Sequence, residues 1–310
     1  MTRIGEFAFL VGLLALFGAM WGATQPLGKI AVSEGYRAPG LVFSQLMIGA
    51  VILLTVNRLR GQGLPWGRDH LRVYAVLALI GTILPNTASY EAIRHLPSGL
   101  VSILLSMVPL FAFPIALLLA VDHFSFRRLL GLVCGLAGVF LIVLPEASLP
   151  NPAMILFVPL ALIAPLFYAF EGNYVARWGI AGLDPVQALC GASIVGAVIA
   201  FPFAVLTGSF IDPRGPWGAP DLAIVASAVL HAGAYTGYVW MVGRTGPVFA
   251  VQVSYLVTGF GVLWAMIFLD ESYSGWVWAA MALMFVGMFL VQPRRDTSLA
   301  PAPATGDDTR

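Results

Sequence analysis

Ten runs of about 20 predominantly apolar residues take up almost the whole chain, at 8–31, 39–57, 71–93, 98–120, 126–144, 153–177, 186–208, 222–242, 248–269 and 275–292. Each is long enough to cross the roughly 30 Å hydrocarbon core of a bilayer as a helix. Composition agrees: 59% of the 310 residues are hydrophobic and only 10% are charged, against about 25% charged in an ordinary globular chain. The expected fold is therefore all-α and integral to the membrane, with the lipid bilayer as its first partner. The segment from near Ala8 to Val32 lacks a small-residue cleavage pattern after a short core, so it reads as a retained helix and not a signal peptide. Sixteen cations are scattered instead of gathered into a basic stripe, and the net charge is +1, which argues against a nucleic-acid partner. Cys134 and Cys190 both lie inside apolar runs and match no metal-ligand spacing, so they read as small buried residues, with no metal and no cofactor expected.

The stretch from Leu96 to Leu144 returns in degenerate form 149 residues later. Asp122 falls on Glu271, Phe124 on Tyr273, Ser125 on Ser274, and the GVFL run of Gly138 to Leu141 on the GMFL run of Gly287 to Leu290. Each copy reads as an apolar helix, a tight acid-x-aromatic-Ser turn whose serine caps the next helix, and a second apolar helix. Arg127 and Arg128 follow the first turn where Trp276 and Val277 follow the second. Arginines favour the cytoplasmic side and tryptophans either interface, so the two turns face opposite sides of the membrane. Counting gives the same answer, because five helices per half is odd and the second half must enter inverted.

With the N-terminus in the cytoplasm, the inner loops collect Arg3, Arg58, Arg60, Arg68, Arg72, Arg127, Arg128, Arg177, Arg244, Arg294, Arg295 and Arg310. Lys29, Arg37, Arg94 and Arg214 remain outside. This bias of twelve to four puts both termini inside. The expected organisation is a first five-helix repeat at 1–147, an inverted second repeat at 148–293, and a Pro-, Ala-, Thr- and Asp-rich tail at 294–310 expected to be disordered and cytoplasmic.

On these features the chain resembles the EamA type of the drug/metabolite transporter superfamily, ten-helix proteins with tandem inverted halves. The resemblance covers nearly the whole chain. It rests on the order and spacing of Trp21-Gly22, the Tyr90-x-Ala-Ile-Arg-His-Leu-Pro close of the third helix, Pro109, and the acid-x-x-Ser turns at Asp122 and Glu271. The chain departs from it at Asp122, where the family typically has glutamate, and at Thr258, where it often has proline. The resemblance implies a secondary carrier of the inner (plasma) membrane that works by alternating access, with a tendency to metabolite efflux. Inverted repeats independently imply a site near the midplane between the halves.

Polar side chains inside a span are costly and usually face a cavity or a partner. His231 lies mid-helix, with Tyr235 and Tyr238 four and seven residues on along one face. It is either satisfied by a neighbouring carbonyl or hydroxyl, or is a midplane substrate contact or proton carrier. Glu171, roughly 9 Å inside the cytoplasmic end of the sixth helix, is a candidate proton or cation site; the alternatives are a bridge to Arg177 or snorkelling to the interface. Its counterpart in the first half is close to Gln25, one turn beyond Trp21, which reads either as a matching gate or as a helix–helix hydrogen bond. Thr82 and Asn86 correspond under the 149 offset to His231 and Tyr235, and Tyr90 continues their face. Pro85 either frees a carbonyl beside Asn86 or only kinks the helix. Gln252 and Tyr255 share a face of the ninth helix. Ser102 and Ser106, four apart, read either as contacts or as close-packing residues. Trp264, Trp276 and Trp278 read as lipid-facing or interfacial, and Glu91, Arg94, His95, Asp122, Asp270 and Glu271 as solvated or capping.

No span holds a lysine or arginine near its centre. A carrier of phosphorylated compounds would be expected to clamp phosphate with deep cations, so neutral, zwitterionic or cationic small molecules of amino-acid type fit better as substrates. The chain has no HExxH, no GxSxG, no paired in-membrane aspartates and no Cys-His pair at recognisable spacing, which argues against an intramembrane enzyme. An uptake carrier for a small organic nutrient and a channel lined by scattered polar residues remain as alternatives. A monomer suffices for such a carrier, with a homodimer as the alternative.

Overall fold

A computed structural model describes residues 3–145 and 147–292. The expected tail at 294–310, with Arg294, Arg295 and Arg310, lies outside the described residues, as does the side chain of Arg3. Among the described residues ten apolar helices run through the molecule and no strand occurs. Eight are long and apolar enough to span a membrane and two are shorter apolar helices. They are α1 (Arg3–Gly22 continuing as Thr24–Ser33), α2 (Ala38–Leu59), α3 (Arg68–His95), α4 (Ser98–Leu105 and Val108–Leu118) and α5 (Phe126–Val143). The second half comprises α6 (Pro152–Trp178), α7 (Pro185–Leu206), α8 (Ala219–Thr245), α9 (Pro247–Ala250 and Val253–Leu269) and α10 (Gly275–Val291). Hydropathy places every one of them to within three residues at either end, apart from the extended start of α1.

The packing is itself two-fold. α1 packs on α8 and α9, and the equivalent α6 packs on α3 and α4. α2 packs on α8 as α7 packs on α3, while α2–α7, α4–α9 and α5–α10 each pair a helix with its own counterpart. Exchanging helix n for helix n+5 therefore turns this set of contacts into itself. The chain consists of two inverted five-helix repeats whose helices interdigitate, so the core belongs to both.

Where the halves meet, backbones come close. A Cβ on Gly131 of α5 would lie 2.7 Å from the Gly287 carbonyl of α10, and one on Gly22 of α1 would lie 2.8 Å from the Gly261 nitrogen of α9. Lipid tails are as apolar as leucine, so such contacts are driven by van der Waals packing and not by expulsion of water.

Several helices depart from regularity at prolines. α4 is interrupted at Ser106 and Met107, just before Pro109. α6 begins as a 3-10 turn over Pro152–Phe157, started by Asn151 accepting from the Ala153 amide, and is interrupted at Leu162, three residues before Pro165. α3 contains a π-turn over Leu79–Ile83 immediately before Pro85. Proline has no N–H to give the carbonyl four residues back, and a π-turn absorbs the mismatch with one extra residue.

Two expectations change. Ser274 caps α10, accepting from Val277 at 3.4 Å, whereas Ser125 lies extended before α5 and makes no side-chain cap. Trp264 is not simply lipid-facing, because its indole N–H donates to the Ala19 carbonyl of α1 at 3.0 Å. Asp221 belongs to the first turn of α8, where its carboxylate accepts from the Gly218 amide at 2.8 Å.

The α5–α10 contact makes a testable point. Gly131→Leu should overpack it and cost about 1–3 kcal/mol, seen as a lowered melting temperature of the detergent-solubilised protein. Gly12→Ala, with nothing within 4 Å of the added methyl, should leave the temperature unchanged or raise it.

Candidate functional site

A polar cluster lies at mid-depth where α1, α2, α3, α6, α7 and α8 converge. His231 is the thirteenth residue of the 27 in α8. Its Nδ1 accepts from the indole N–H of Trp21 at 3.2 Å. Indole can only donate, so Nδ1 carries no proton while this bond stands and Nε2 carries it. Protonating the ring requires Trp21 to let go. Trp21 also packs on Tyr235 and Tyr238, with ring centroids 6.5 and 5.5 Å away. The one-face stripe of α8 is thus gathered around a single residue of α1, and Thr24 anchors that turn by donating to the Trp21 carbonyl at 2.7 Å.

Beside it runs a hydrogen-bonded chain. Tyr168 of α6 donates to Asn86 Oδ1 at 2.6 Å, Asn86 Nδ2 donates to Gln45 Oε1 of α2 at 3.0 Å, and Tyr90 donates to the same oxygen at 2.9 Å. Ser89 donates to Gln25 Oε1 at 3.4 Å. Two small cavities of about 40 and 50 Å³ adjoin these groups and share Gln45, Asn86, Tyr168 and His231 in their walls. Thr82, Gly81 and Ser193 line the first, and Gln25, Ser89, Tyr90 and Ser227 the second. Each has room for a few waters but is far short of the 300 Å³ or more that an organic ligand fills. The chamber is contracted.

Glu171 sits half-buried, three residues along α6 from Tyr168, with its carboxylate against Gly81 in the π-turn of α3. A Cβ at position 81 would collide with that carboxylate. No ion pair links Glu171 to Arg177, whose side chain is exposed. The deep carboxylate therefore packs beside Gly81, a residue of the first cavity's wall, without a cation partner.

Gln25, Thr82, Asn86, Tyr90 and His231 line the two cavities, while Trp21, Tyr235 and Tyr238 pack beside His231 and Glu171 beside Gly81 without lining either. Gln252 and Tyr255 do not line the chamber. Gln252 donates to Gln292 Oε1 and Gln292 donates to the Tyr255 hydroxyl, both at 3.1 Å, at the end of α9 where its first turn is broken off. Ser102 donates to the Ser98 carbonyl at 3.1 Å and abuts Gly261, which is a packing role. Gln45 and Tyr168 were not anticipated. The available signals were a lone glutamine in an otherwise apolar run and a tyrosine three residues before Glu171. Lys29 is occupied, donating to the carbonyls of Ile93, Arg94 and Leu96 at 2.8, 3.5 and 3.1 Å.

Two inverted five-helix halves around an internal polar chamber define a multi-pass membrane protein of transporter architecture. The model of the EamA-like transporter family matches residues 8–144 and 155–292, and the chain belongs to that family, within the drug/metabolite transporter superfamily. It is 26% identical over 167 residues to "Uncharacterized transporter YdfC" of Bacillus subtilis (strain 168), a match spanning 53% of this chain and 54%, about half, of that relative. It is 24% identical over 226 residues to "Uncharacterized transporter YoaV" of the same organism, spanning 72% of this chain and 74% of the relative. A solved crystal structure of a protein 20% identical superposes with a TM-score of 0.59 over 90% of this chain and 96% of its own, which shows a shared fold.

The hydrogen-bonded chain predicts coupling between halves. Tyr168→Phe and Asn86→Ala should each destabilise the protein by about 1 kcal/mol, and the double variant should cost less than their sum, by at least about 0.5 kcal/mol. Thermal unfolding of the four proteins measures this; additivity would mean the bond carries no energy.

Proposed function

We propose that this chain is an inner-membrane secondary carrier that moves small neutral, zwitterionic or cationic metabolites of amino-acid type outward by alternating access, with residues 1–147 and 148–293 as its two moving units. The single observation that carries the substrate class is the chemistry of the chamber wall. It offers amides, hydroxyls and one imidazole, and no lysine or arginine, with the Glu171 carboxylate packed against Gly81 of that wall. A substrate ammonium has a counter-ion in Glu171 and aromatic faces in Trp21 and the tyrosines. A substrate carboxylate has only uncharged donors, from Gln25, Gln45, Asn86 and Nε2 of His231, and a phosphate has no cation to meet it.

Proton coupling is assigned to Glu171 and His231. A carboxylate beside a low-dielectric chamber with no cation at hand exchanges its charge for a proton or for a cationic substrate. His231 adds a mechanical link, since a proton on Nδ1 displaces Trp21 and disturbs the aromatic contact with Tyr235 and Tyr238. Both termini are assigned to the cytoplasm. Among the described residues Arg58, Arg60, Arg68, Arg72, Arg127, Arg128, Arg177 and Arg244 lie toward one face and Lys29, Arg37, Arg94 and Arg214 toward the other, a bias in the same sense as the whole chain's.

The experiment is thermal stabilisation of the purified protein against amino acids, amines, nucleosides, vitamins, organic acids and sugar phosphates. A ligand that binds only the folded state raises the melting temperature, by about 2.7 kcal/mol of added stability at a hundredfold excess over Kd. The expected outcome is stabilisation by an amine or zwitterion, lost in Glu171→Gln. Stabilisation by phosphorylated compounds alone would overturn the substrate class. With a ligand in hand, proteoliposomes of Glu171→Gln or His231→Gln should lose transport driven by a pH gradient while retaining substrate exchange. Unchanged pH-driven transport removes that residue from coupling.

A further inference from the structure

The short junction between α3 and α4 is gripped from both sides, and among the described residues the acid of the inverted turn, Asp122, makes no such grip on the junction between α8 and α9. Lys29 of α1 sits on the three carbonyls that end α3. Glu271, in the turn between α9 and α10, sits on the start of α4. It accepts from the Ser98 amide at 2.8 Å, the Ser98 hydroxyl at 2.9 Å, the Gly99 amide at 3.1 Å and the Tyr273 hydroxyl at 2.5 Å. A cation at a helix C-terminus and an anion at a helix N-terminus each complement the helix dipole. Ser98 is fully buried and the Tyr273 hydroxyl fills the space beside Gly99, so water cannot easily replace the carboxylate. Lys29 stiffens the junction within the first half, and Glu271 ties it to the second.

The inverted counterpart cannot form the same latch. Under the 149 offset Ser98 becomes Pro247, which has neither an amide hydrogen nor a hydroxyl. Backbone geometry differs as well. A left-handed residue directly precedes the acid in the second turn (Asp270, φ 52°) but stands two residues before it in the first (Ala120, φ 53°). Asp122 turns instead to Arg128. The cross-half ion pairs on that face, Arg60–Asp184 at 3.2 Å and Glu6–Arg244 at 2.6 Å, are both solvent-exposed, and exposed pairs contribute little.

We infer that Glu271, with Ser98, Gly99 and Tyr273, is a one-sided latch that holds the external face closed, so that the resting carrier opens preferentially toward the cytoplasm. This rests on the proposed orientation and on alternating access. The latch sets which side is loaded first; it does not set the thermodynamic direction of transport.

The test is labelling of a chamber cysteine in the full-length protein. Ser227→Cys, in the chamber wall on the outer half of α8, is introduced with Cys134→Ala and Cys190→Ala and exposed to an impermeant maleimide added outside intact cells. Glu271→Gln, which gives up the charge-assisted bonds, should raise the external labelling rate roughly tenfold. Tyr273→Phe keeps the charge, removes one bond, and should raise it by a smaller factor; it also serves if Glu271→Gln does not reach the membrane folded. Glu6→Gln, which breaks an exposed pair on the opposite face, should not raise it. External labelling unchanged in both latch variants, or raised equally by Glu6→Gln, overturns the latch. A rise seen only in inside-out vesicles overturns the orientation and reassigns the closed face. Because no substrate is used, these outcomes are read apart from the success or failure of the substrate assignment.

Discussion

Hydrocarbon gives two apolar helices no reason to prefer each other over lipid, so the architecture depends on how closely the two halves can bring their backbones together. Glycine supplies that closeness where α5 meets α10 and where α1 meets α9. Every major packing pair recurs under exchange of the halves, which makes these contacts the frame on which everything polar is hung. The chamber exists because six helices, held by such contacts around the middle, have nowhere to put their polar side chains except toward one another.

Within that frame the polar groups satisfy each other with little to spare. Trp21 fixes the tautomer of His231, and Tyr168, Asn86, Gln45 and Tyr90 pass hydrogen bonds from α6 through α3 to α2. Two of these links, Trp21 to His231 and Tyr168 to Asn86, cross between the halves, so any rearrangement that opens the chamber must break or replace them. A ligand whose own donors and acceptors take over those bonds would lower the cost of opening. Glu171 differs in kind, since its carboxylate arrives at the wall against Gly81 with no cation to meet it.

Most of the fold was legible because a membrane imposes a length on each apolar run, and that length survives as a simple pattern. His231 and Glu171 stood out as polar residues inside apolar spans. Gln45 did not, because it has no polar counterpart at the 149 offset, where Ile194 stands, and Tyr168 was hidden among the many aromatics of an apolar helix. Gln252 and Tyr255 were grouped by regular helical spacing, which fails where α9 is interrupted at Val251 and Gln252. Ser125 and Ser274 occupy equivalent places yet only one caps, since a cap depends on a hydroxyl rotamer that the sequence does not specify. The π-turn was foreshadowed only by Pro85, whose missing N–H can be absorbed by a kink, a break or an extra residue.

That extra residue in α3 has a consequence for symmetry. An ideal inverted repeat looks the same when the molecule is turned upside down in the membrane, and either insertion would yield an equivalent machine. Here the π-turn gives α3 a register along the chamber that α8 does not share, bringing Gly81 against Glu171 on one side of the midplane with no matching acid on the other. An upside-down molecule would present its acidic wall to the opposite compartment. Whatever sets the insertion of the chain therefore also sets which compartment the chamber's chemistry faces.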